Sequence, residues 1–285
     1  MTTYRQWRET AAADTRSLVR MDHRGDRVTL TLSEPERLNP LGAGLNVQLQ
    51  QRLEEIAWDP AIRSVVITGE DPAFSAGGDL EMMRNGNRAI RDPAHPADTT
   101  DPWRWIRRQF GGVVRIIAST DKLFVAAING PAAGVGLAFA LACDVVIASE
   151  RAILVPAFGK LGLVPEVGTS WTLTRRLGYH GAMAYYLRGE QLDAHDALKL
   201  GLVGEVHAHE DLLAGADAWC DLAGRTPVHA LEMAKTVLRA AADATWEEAL
   251  RLEEFAEANC FSTEALGSAT EALLSGSGRE SPNSG

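Results

Sequence analysis

Short apolar segments alternate with helical segments along the first two-thirds of this chain, and this alternation constrains the fold more than any other feature. Residues 27–32 alternate with period two, as a half-buried strand does. Three further runs are almost continuously apolar, as buried strands are, and helical patterns lie between them. The predicted strands are residues 27–32, 65–68, 124–128 and 145–148, and the predicted helices are residues 45–58, 103–119 and 134–143. Strands that alternate with helices at this spacing predict an α/β fold.

After Thr169 the pattern becomes helical, apart from a short strand signal at residues 204–207. Predicted helices cover residues 171–177, 181–187, 194–200, 211–223, 227–242 and 245–259. We therefore expect a core over residues 1–205 and a C-terminal helical region over residues 206–274. Residues 85–102, rich in Asn, Asp, Pro and Thr, predict a mobile loop. The low-complexity residues 275–285 predict a disordered tail.

Charge and cysteine content narrow the class of function. A net charge of −10 disfavours nucleic acid as a partner, because phosphate binding needs a basic surface. Three widely separated cysteines make neither a disulfide framework nor a zinc site. No apolar run reaches membrane-spanning length and the N-terminus lacks a secretory h-region. The chain is therefore predicted to be cytoplasmic, with no membrane association and no metal.

Glu166 is a lone carboxylate in residues 162–168, which are otherwise apolar, glycine or proline. Folding either strips water from this carboxylate and raises its pKa, or supplies it with a partner. Raised carboxyl pKa values are typical of proton-transfer enzymes. The alternative is a surface glutamate on a Pro/Gly turn. The histidines of the second half, which fall in predicted helix termini or loops, are assigned no role: His180, His195, His207 and His209.

Two glycine-containing loops could hold an oxyanion. Residues 76–80 bring two glycines close to any ligand, and residues 129–136 run directly into a helix whose first N–H groups are free. One N–H from each loop would make an oxyanion hole. Neither loop matches a Rossmann or P-loop motif. Taken separately, each loop could also be an ordinary turn.

Together these segments resemble the crotonase (enoyl-CoA hydratase/isomerase) superfamily, with a similarity that runs from Val28 to His207. The matching segments are residues 73–80, 126–134, 143–144, 162–165 and 194–203. The resemblance implies an α/β fold with a spiral core of repeated ββα units and a C-terminal helical region used for trimerisation. It further implies an acyl-CoA thioester substrate, a homotrimer or dimer of trimers, and no separate cofactor, since CoA is part of the substrate.

The resemblance also implies site residues. The backbone N–H groups that hold the thioester oxygen fall on Gly78 and Val135, where the second position is usually glycine. Arg37 and Leu38 match the segment that touches the CoA nucleotide. The implied substrate-binding set is Arg37, Leu38, Ala76, Asp79, Leu80, Gly134 and Phe158.

The departures from the family pattern are informative. Hydratases activate water with two glutamates, and these positions hold Ala138 and Phe158 here, so water addition by that arrangement is not expected. Glu166 stands where the isomerase branches place their acid, and the chain is most similar to single-glutamate 3-enoyl-CoA to 2-enoyl-CoA isomerases. Ring-modifying isomerases and 4-chlorobenzoyl-CoA dehalogenase carry an acid at the same point.

The sequence thus predicts an enoyl-CoA isomerase in which Glu166 moves a proton from C2 to C4. Dienoyl or ring isomerisation, dehalogenation and C–C cleavage of a CoA ester remain open. A third hypothesis is a non-catalytic acyl-CoA-binding protein that lost both hydratase acids.

Overall fold

The computed structural model of the 285-residue chain describes residues 4–94 and 100–275. The chain divides into two compact units, Met1–Leu222 and Ala223–Gly285. The first unit contains two sheets. Its strands are β1 Val19–Arg24, β2 Arg27–Leu32, β3 Ser64–Gly69, β4 Leu123–Ile128, β5 Pro131–Ala133, β6 Val145–Ser149, β7 Ile153–Val155, β8 Leu192–Asp193 and β9 Glu205–His207.

The larger sheet has the order β1-β2-β3-β4-β6-β9, and all its neighbours are parallel except the β1–β2 hairpin. The smaller sheet has the order β5-β7-β8. The helices that accompany them are α1 Tyr4–Ala13, α2 Ala43–Trp58, α3 Leu80–Ile90, α4 Thr100–Trp105, α5 Gly111–Ser119, α6 Val135–Ala142, α7 Thr169–Arg188, α8 Ala194–Lys199 and α9 Leu212–Arg225. A π-helical segment, Ile106–Phe110, joins α4 to α5.

The central strands are mostly apolar because both faces of the large sheet are covered. Along β3, Val65 and Ile67 belong to the main apolar cluster of the unit, whereas Val66 belongs to a second cluster with Leu212 and Ala216 of α9. β4 alternates between the same two clusters. The four predicted strands are confirmed, and the nearly continuous apolar runs of the last three reflect this double burial.

The loop predicted over residues 85–102 is helical at both ends. Helix α3 continues to Ile90 and α4 begins at Thr100. The Asn-Gly-Asn sequence at 85–87 is unfavourable in a helix, but tertiary contacts override it. A Cβ on Gly86 would lie 3.2 Å from Trp7 Cζ2, so the glycine lets α3 approach α1 closely. Residues 95–99 of the predicted loop lie outside the described residues.

Other features were not foreseen in the sequence. β1, the small sheet and α1 carry weak patterns because they are short or only partly buried. The helices predicted at 171–177 and 181–187 are two arms of α7 that meet at a kink at Gly178, where φ is 68°. The boundary between the compact units follows Leu222, later than the predicted boundary at residue 205, because α9 packs on the large sheet.

The second unit is helical. Its helices are α10 Val228–Ala241, α11 Trp246–Cys260 and α12 Glu264–Leu274. A capping box at Thr245 and Glu248 starts α11. The predicted disordered tail, apart from Ser275, lies outside the described residues. Across residues 4–94 and 100–275, no helix is both long and apolar enough to cross a membrane.

Candidate active site

The first glycine loop connects β3 to α3. Gly77 has φ of 88°, which glycine adopts without strain. Its carbonyl accepts the Leu41 N–H at 2.7 Å, and the Asp79 side chain caps α3 by accepting the Met82 N–H at 2.9 Å. Gly78 is therefore placed between an anchored turn and a helix start.

The second loop connects β5 to α6. Gly134 has φ of 50° and ψ of −121°, a conformation that favours glycine, and α6 begins at the next residue, Val135. The first hydrogen bond of the helix runs from the Ala138 N–H to the Gly134 carbonyl at 3.0 Å. The Val135 N–H precedes that bond and belongs to the free donors of a helix N-terminus.

The structure brings the two loops into contact. The Ser75 N–H donates to the Pro131 carbonyl at 3.1 Å, and the Ala133 N–H donates back to the Ser75 carbonyl at 2.9 Å. A Cβ built on Gly78 would lie 4.0 Å from Val135 Cγ1. In the part of the chain that the structure describes, neither the Gly78 N–H nor the Val135 N–H has a hydrogen-bond partner. Two free N–H donors on adjoining loops are the groups that an oxyanion hole requires.

Asn129 fixes the first loop to the end of β4. Its Nδ2 donates to Asp71 Oδ1 at 2.8 Å, and its Oδ1 accepts the Gly69 N–H at 3.1 Å. His209 Nε2 lies 3.0 Å from Asp71 Oδ2, and the other ring nitrogen lies 3.1 Å from Ser149 Oγ. Burial would raise the pKa of Asp71, but hydrogen bonds from Asn129 and His209 hold it below its ordinary value. These side chains tie the ends of parallel strands together.

We expect Asn129→Ala to lower the free energy of unfolding by about 1–3 kcal/mol, because it leaves the buried Gly69 N–H and one Asp71 oxygen without this partner. Urea unfolding measures the change. Asn259→Ala is the matched control, since Asn259 makes one exposed bond to the Phe255 carbonyl. Equal losses in the two variants would contradict a special role for Asn129.

Glu166 lies in the segment between the short 3-10 turn Gly159–Leu161 and α7. The side chain is partly buried, and burial raises the pKa of its carboxyl to about 7. Among the described residues, no side chain forms a hydrogen bond or ion pair with this carboxylate. An unpaired carboxyl group whose pKa lies near 7 can both accept and return a proton at physiological pH. The prediction of a raised pKa is confirmed.

The turn that follows Glu166 is strained. Val167 has φ of 48° and Gly168 has φ of 89°, and the Thr169 N–H donates to the Glu166 carbonyl at 2.9 Å. Positive φ at both central residues is the mark of a type I′ turn, which favours Asn, Asp or Gly at its first central position. A β-branched residue in this region costs about 1–3 kcal/mol.

The two positions that the family resemblance matches to the hydratase glutamates are buried and apolar. Ala138 on α6 and Phe158 are each 2% exposed. A Cβ on Gly134 would lie 4.0 Å from Phe158 Cε1, so the aromatic ring adjoins the second loop. The Leu163 N–H then donates to the Phe158 carbonyl at 2.9 Å, which turns the chain towards Glu166. Neither Ala138 nor Phe158 can activate water.

The predicted CoA-contacting segment lies against the first loop. The Ala76 N–H donates to the Leu38 carbonyl at 2.7 Å, and the Arg37 guanidinium donates to Asp79 Oδ2 at 2.7 Å. Burial would raise the pKa of Asp79, but the Met82 N–H and Arg37 together keep it below its ordinary value. Asp79 is thus a fixed anion that orders the loop. Leu80 is 62% exposed at the start of α3.

Three residues that matter here were assigned no role from sequence: Asn129, His209 and Val167. Asn129 stands in a loop that was considered for its glycines and its free helix N–H groups, and its side chain was given no role. His209 meets Asp71 across 138 residues of chain, which no local pattern could indicate. The backbone conformation of Val167 is not readable from its residue type, since valine rarely adopts it.

No group of three or more His, Cys, Asp or Glu side chains among residues 4–94 and 100–275 could hold a metal ion. The three cysteines are free, and two of them are buried.

Comparison with known proteins identifies the family of the chain. Residues 27–273 match the enoyl-CoA hydratase/isomerase family. The chain is 36% identical to 1,2-epoxyphenylacetyl-CoA isomerase of Escherichia coli K12, over 79% of this chain and 83% of the relative. It is 32% identical to a probable enoyl-CoA hydratase of Rhizobium meliloti, over 82% and 86% of the two chains.

A solved structure gives the same result for the fold. The crystal structure of a monofunctional enoyl CoA isomerase from M. smegmatis superposes with a TM-score of 0.68 at 28% identity, covering 82% of this chain and 99% of that one. The family match over residues 27–273 includes both glycine loops, Glu166 and the helices α10 and α11. The chain therefore has the crotonase-like fold and belongs to the enoyl-CoA hydratase/isomerase family.

Proposed function

We propose that this protein is an acyl-CoA isomerase that moves a double bond from C3 to C2 of an enoyl-CoA, with Glu166 as the group that carries the proton. The observation that supports this most is the unpaired carboxylate of Glu166, whose pKa lies at about 7. Ala138 and Phe158, at the two hydratase positions, offer no second acid. A single acid fits a reaction that removes one proton and returns one.

The reaction begins when the Glu166 carboxylate takes a proton from C2 of the 3-enoyl thioester. The electrons of the broken C–H bond form a double bond between C1 and C2, and the electrons of the C1 carbonyl bond pass to the thioester oxygen, which gives a dienolate that retains the C3–C4 double bond. The N–H groups of Gly78 and Val135 would donate to this oxygen and stabilise the charge as it develops. The protonated carboxyl then gives its proton to C4, which restores the thioester and yields the 2-enoyl product. When C4 takes up the proton, the C3–C4 electrons form the new C–H bond, the carbonyl re-forms and the C1–C2 electrons become the C2–C3 double bond. No electrons are gained or lost, so the proposed chemistry needs no cofactor.

The apolar residues at the two positions matched to the hydratase acids favour isomerisation over hydration. Phe158 stands beside the second loop at Gly134, and Ala138 lies one turn into α6. Apolar walls at these positions would exclude water from the acyl group, and burial of Glu166 keeps its carboxylate basic. Arg37 and the neighbouring Leu38 are proposed to contact the CoA nucleotide, because they lie on the exposed side of the first loop.

Isomerisation of an epoxidised or ring-containing acyl-CoA is a second candidate. It is favoured by the 36% identity to an enzyme named 1,2-epoxyphenylacetyl-CoA isomerase. Such a reaction also redistributes atoms without change of mass and can use the same oxyanion hole.

A panel of CoA thioesters tests the proposal. The purified protein is incubated with a 3-enoyl-CoA, a 2-enoyl-CoA, a 2,4-dienoyl-CoA and a phenylacetyl-CoA epoxide, and each mixture is followed by absorbance and mass spectrometry. We expect the 3-enoyl-CoA to gain the absorbance of a conjugated thioester at constant mass. A gain of one water molecule by the 2-enoyl-CoA, or turnover of the epoxide alone, would overturn the proposed reaction.

The pH dependence follows from the state that Glu166 must be in. Proton removal from C2 requires the carboxylate, and the pKa of Glu166 is about 7. Below that pH the protonated form dominates, so we expect kcat/KM to fall roughly tenfold per pH unit and to be half-maximal near pH 7. A profile measured from pH 5 to 9 checks this. A half-maximal point near pH 4.5 would mean that the base is a solvated carboxyl.

A further inference from the structure

We propose that Val167 is a positioning residue that holds the Glu166 carboxylate in place by anchoring a strained turn. This inference rests on the proposed function of Glu166. It assigns a role to a side chain that does not itself touch the reacting atoms.

The strain is located at one residue. In the turn from Glu166 to Thr169, both central residues have positive φ, 48° at Val167 and 89° at Gly168. The glycine adopts its conformation freely, whereas valine carries two γ-carbons that crowd the backbone there. A turn of this kind would form more easily with Gly, Asn or Asp at the first central position. Strain that persists next to a functional group has to be maintained by the surrounding structure.

The side chain of Val167 holds the strained turn in place by packing against the core. It is partly buried and packs against the main apolar cluster, whereas Val164, three residues earlier, is 71% exposed. On the N-terminal side the segment is held at Leu163, whose carbonyl accepts the Tyr186 hydroxyl at 3.0 Å. On the C-terminal side Thr169 is buried at the start of α7. Between these two fixed points, Val167 is the apolar contact that ties the turn to the core.

The position of Glu166 depends on this contact. Glu166 is the first residue of the turn, and its carbonyl accepts the hydrogen bond that closes it. If Val167 loses its contact, the turn is no longer held against the core, so it can move as a unit and carry the carboxylate away from its apolar surroundings. Displacements of about 1 Å in a catalytic group lower turnover by up to about a hundredfold.

Three variants test the role. Val167→Gly and Val167→Asn adopt positive φ readily but remove the apolar anchor, and Val167→Ile retains a β-branched anchor. We expect the Gly and Asn variants to fold with a Tm near that of the wild type, because relief of strain offsets the lost packing. We expect their kcat for a 3-enoyl-CoA to fall about 10- to 100-fold with KM changed less than threefold. Val167→Ile should stay within threefold in both constants.

A second readout does not depend on knowing the substrate. The pKa of Glu166, followed by carbon NMR of protein labelled in the glutamate carboxyls, should move from about 7 towards the ordinary value of 4.5 in Val167→Gly. Assignment uses Glu166→Gln, which lacks the resonance. Val167→Ile should keep the wild-type titration.

The outcomes separate this inference from the proposed function. If the wild type does not isomerise 3-enoyl-CoA but the titration of Glu166 shifts in Val167→Gly and not in Val167→Ile, positioning stands and the reaction needs revision. If the wild type isomerises the substrate and Val167→Gly retains both its kcat and its titration, the inference is wrong. A loss of kcat that follows a fall in Tm in all three variants would assign Val167 to the core alone, which also overturns it.

Discussion

Glu166→Gln is expected to lower kcat for the 3-enoyl-CoA by a factor of about 10²–10⁴, the usual contribution of a positioned general acid–base group. The amide has nearly the same shape and keeps the apolar surroundings, but it can neither take the C2 proton nor return one to C4. The KM or binding constant for the thioester should change little, because the carboxylate does not contact the CoA nucleotide in the proposed arrangement. Steady-state kinetics and calorimetric titration with a non-reactive acyl-CoA measure the two effects.

Glu55→Gln is the control for this variant. Glu55 is an exposed glutamate on α2 that pairs with Arg52, and its replacement should leave kcat unchanged. Retention of more than a tenth of wild-type turnover in Glu166→Gln would remove Glu166 from the chemical step. A substrate deuterated at C2 adds a second check, since transfer by one carboxylate should carry part of the label to C4.

Glu166→Gln should also be more stable than the wild type above neutral pH. The carboxyl of Glu166 ionises at about 7 in the folded protein against an ordinary value of 4.5, so the folded state holds the proton more tightly than the unfolded state. The tighter proton binding of the folded state adds to the free energy of unfolding in full below about pH 4.5. This contribution is lost as the pH rises to about 7. Glutamine has no such loss, and the gain at pH 8 is up to about 3 kcal/mol. Urea unfolding at pH 8 and pH 5 should show the gain shrinking as pH falls.

Val135→Pro is expected to lower kcat by a factor of about 10²–10³, because it deletes one N–H donor of the proposed oxyanion hole. Val135 is the first residue of α6, a position where proline is compatible with the helix and where the lost N–H has no partner within the helix. The defect should appear in kcat more than in KM, since the charge on the thioester oxygen develops only during reaction.

Two further variants separate the donor from its side chain. Val135→Ala keeps the N–H and removes the γ-carbons, so it should lose stability but retain kcat within about fivefold of wild type. Glu264→Pro places proline at the first residue of α12, where the side chain is exposed, and should affect neither constant. Equal kcat losses in Val135→Ala and Val135→Pro would show that shape, and not the N–H, governs turnover.

Those features of the site that depend only on residue type could be predicted from the sequence. Glycines at 77 and 78 predicted a loop whose backbone can approach a ligand closely, and Gly77 and Gly134 have positive φ in the structure. A carboxylate among apolar residues at 166 indicated a raised pKa, and burial does raise it. Apolar residues at 138 and 158 indicated a site without the hydratase acids, and both are buried.

The prediction for residues 85–102 was wrong where it relied on local propensity. Asn85 and Gly86 are poor helix formers, yet α3 passes through both because Asp79 caps it and Trp7 packs on it. Trp7 lies almost eighty residues earlier in the chain, so the contact exists only once α1 has docked. Local preference is worth at most about 1 kcal/mol per residue, which a single buried aromatic contact exceeds.

Sequence by itself determined which groups are available: two loops with unhindered N–H donors and one carboxylate in an apolar segment. It also determined the α/β class, because the periodicity of apolar residues depends only on residues that are close together in the chain. Tertiary structure alone decided how these groups are held. The hydrogen bonds of Asn129 and His209, and the left-handed turn at Val167, depend on partners far away in the chain. Their energies come from contacts that no segment can make before the sheet and its helices have packed together.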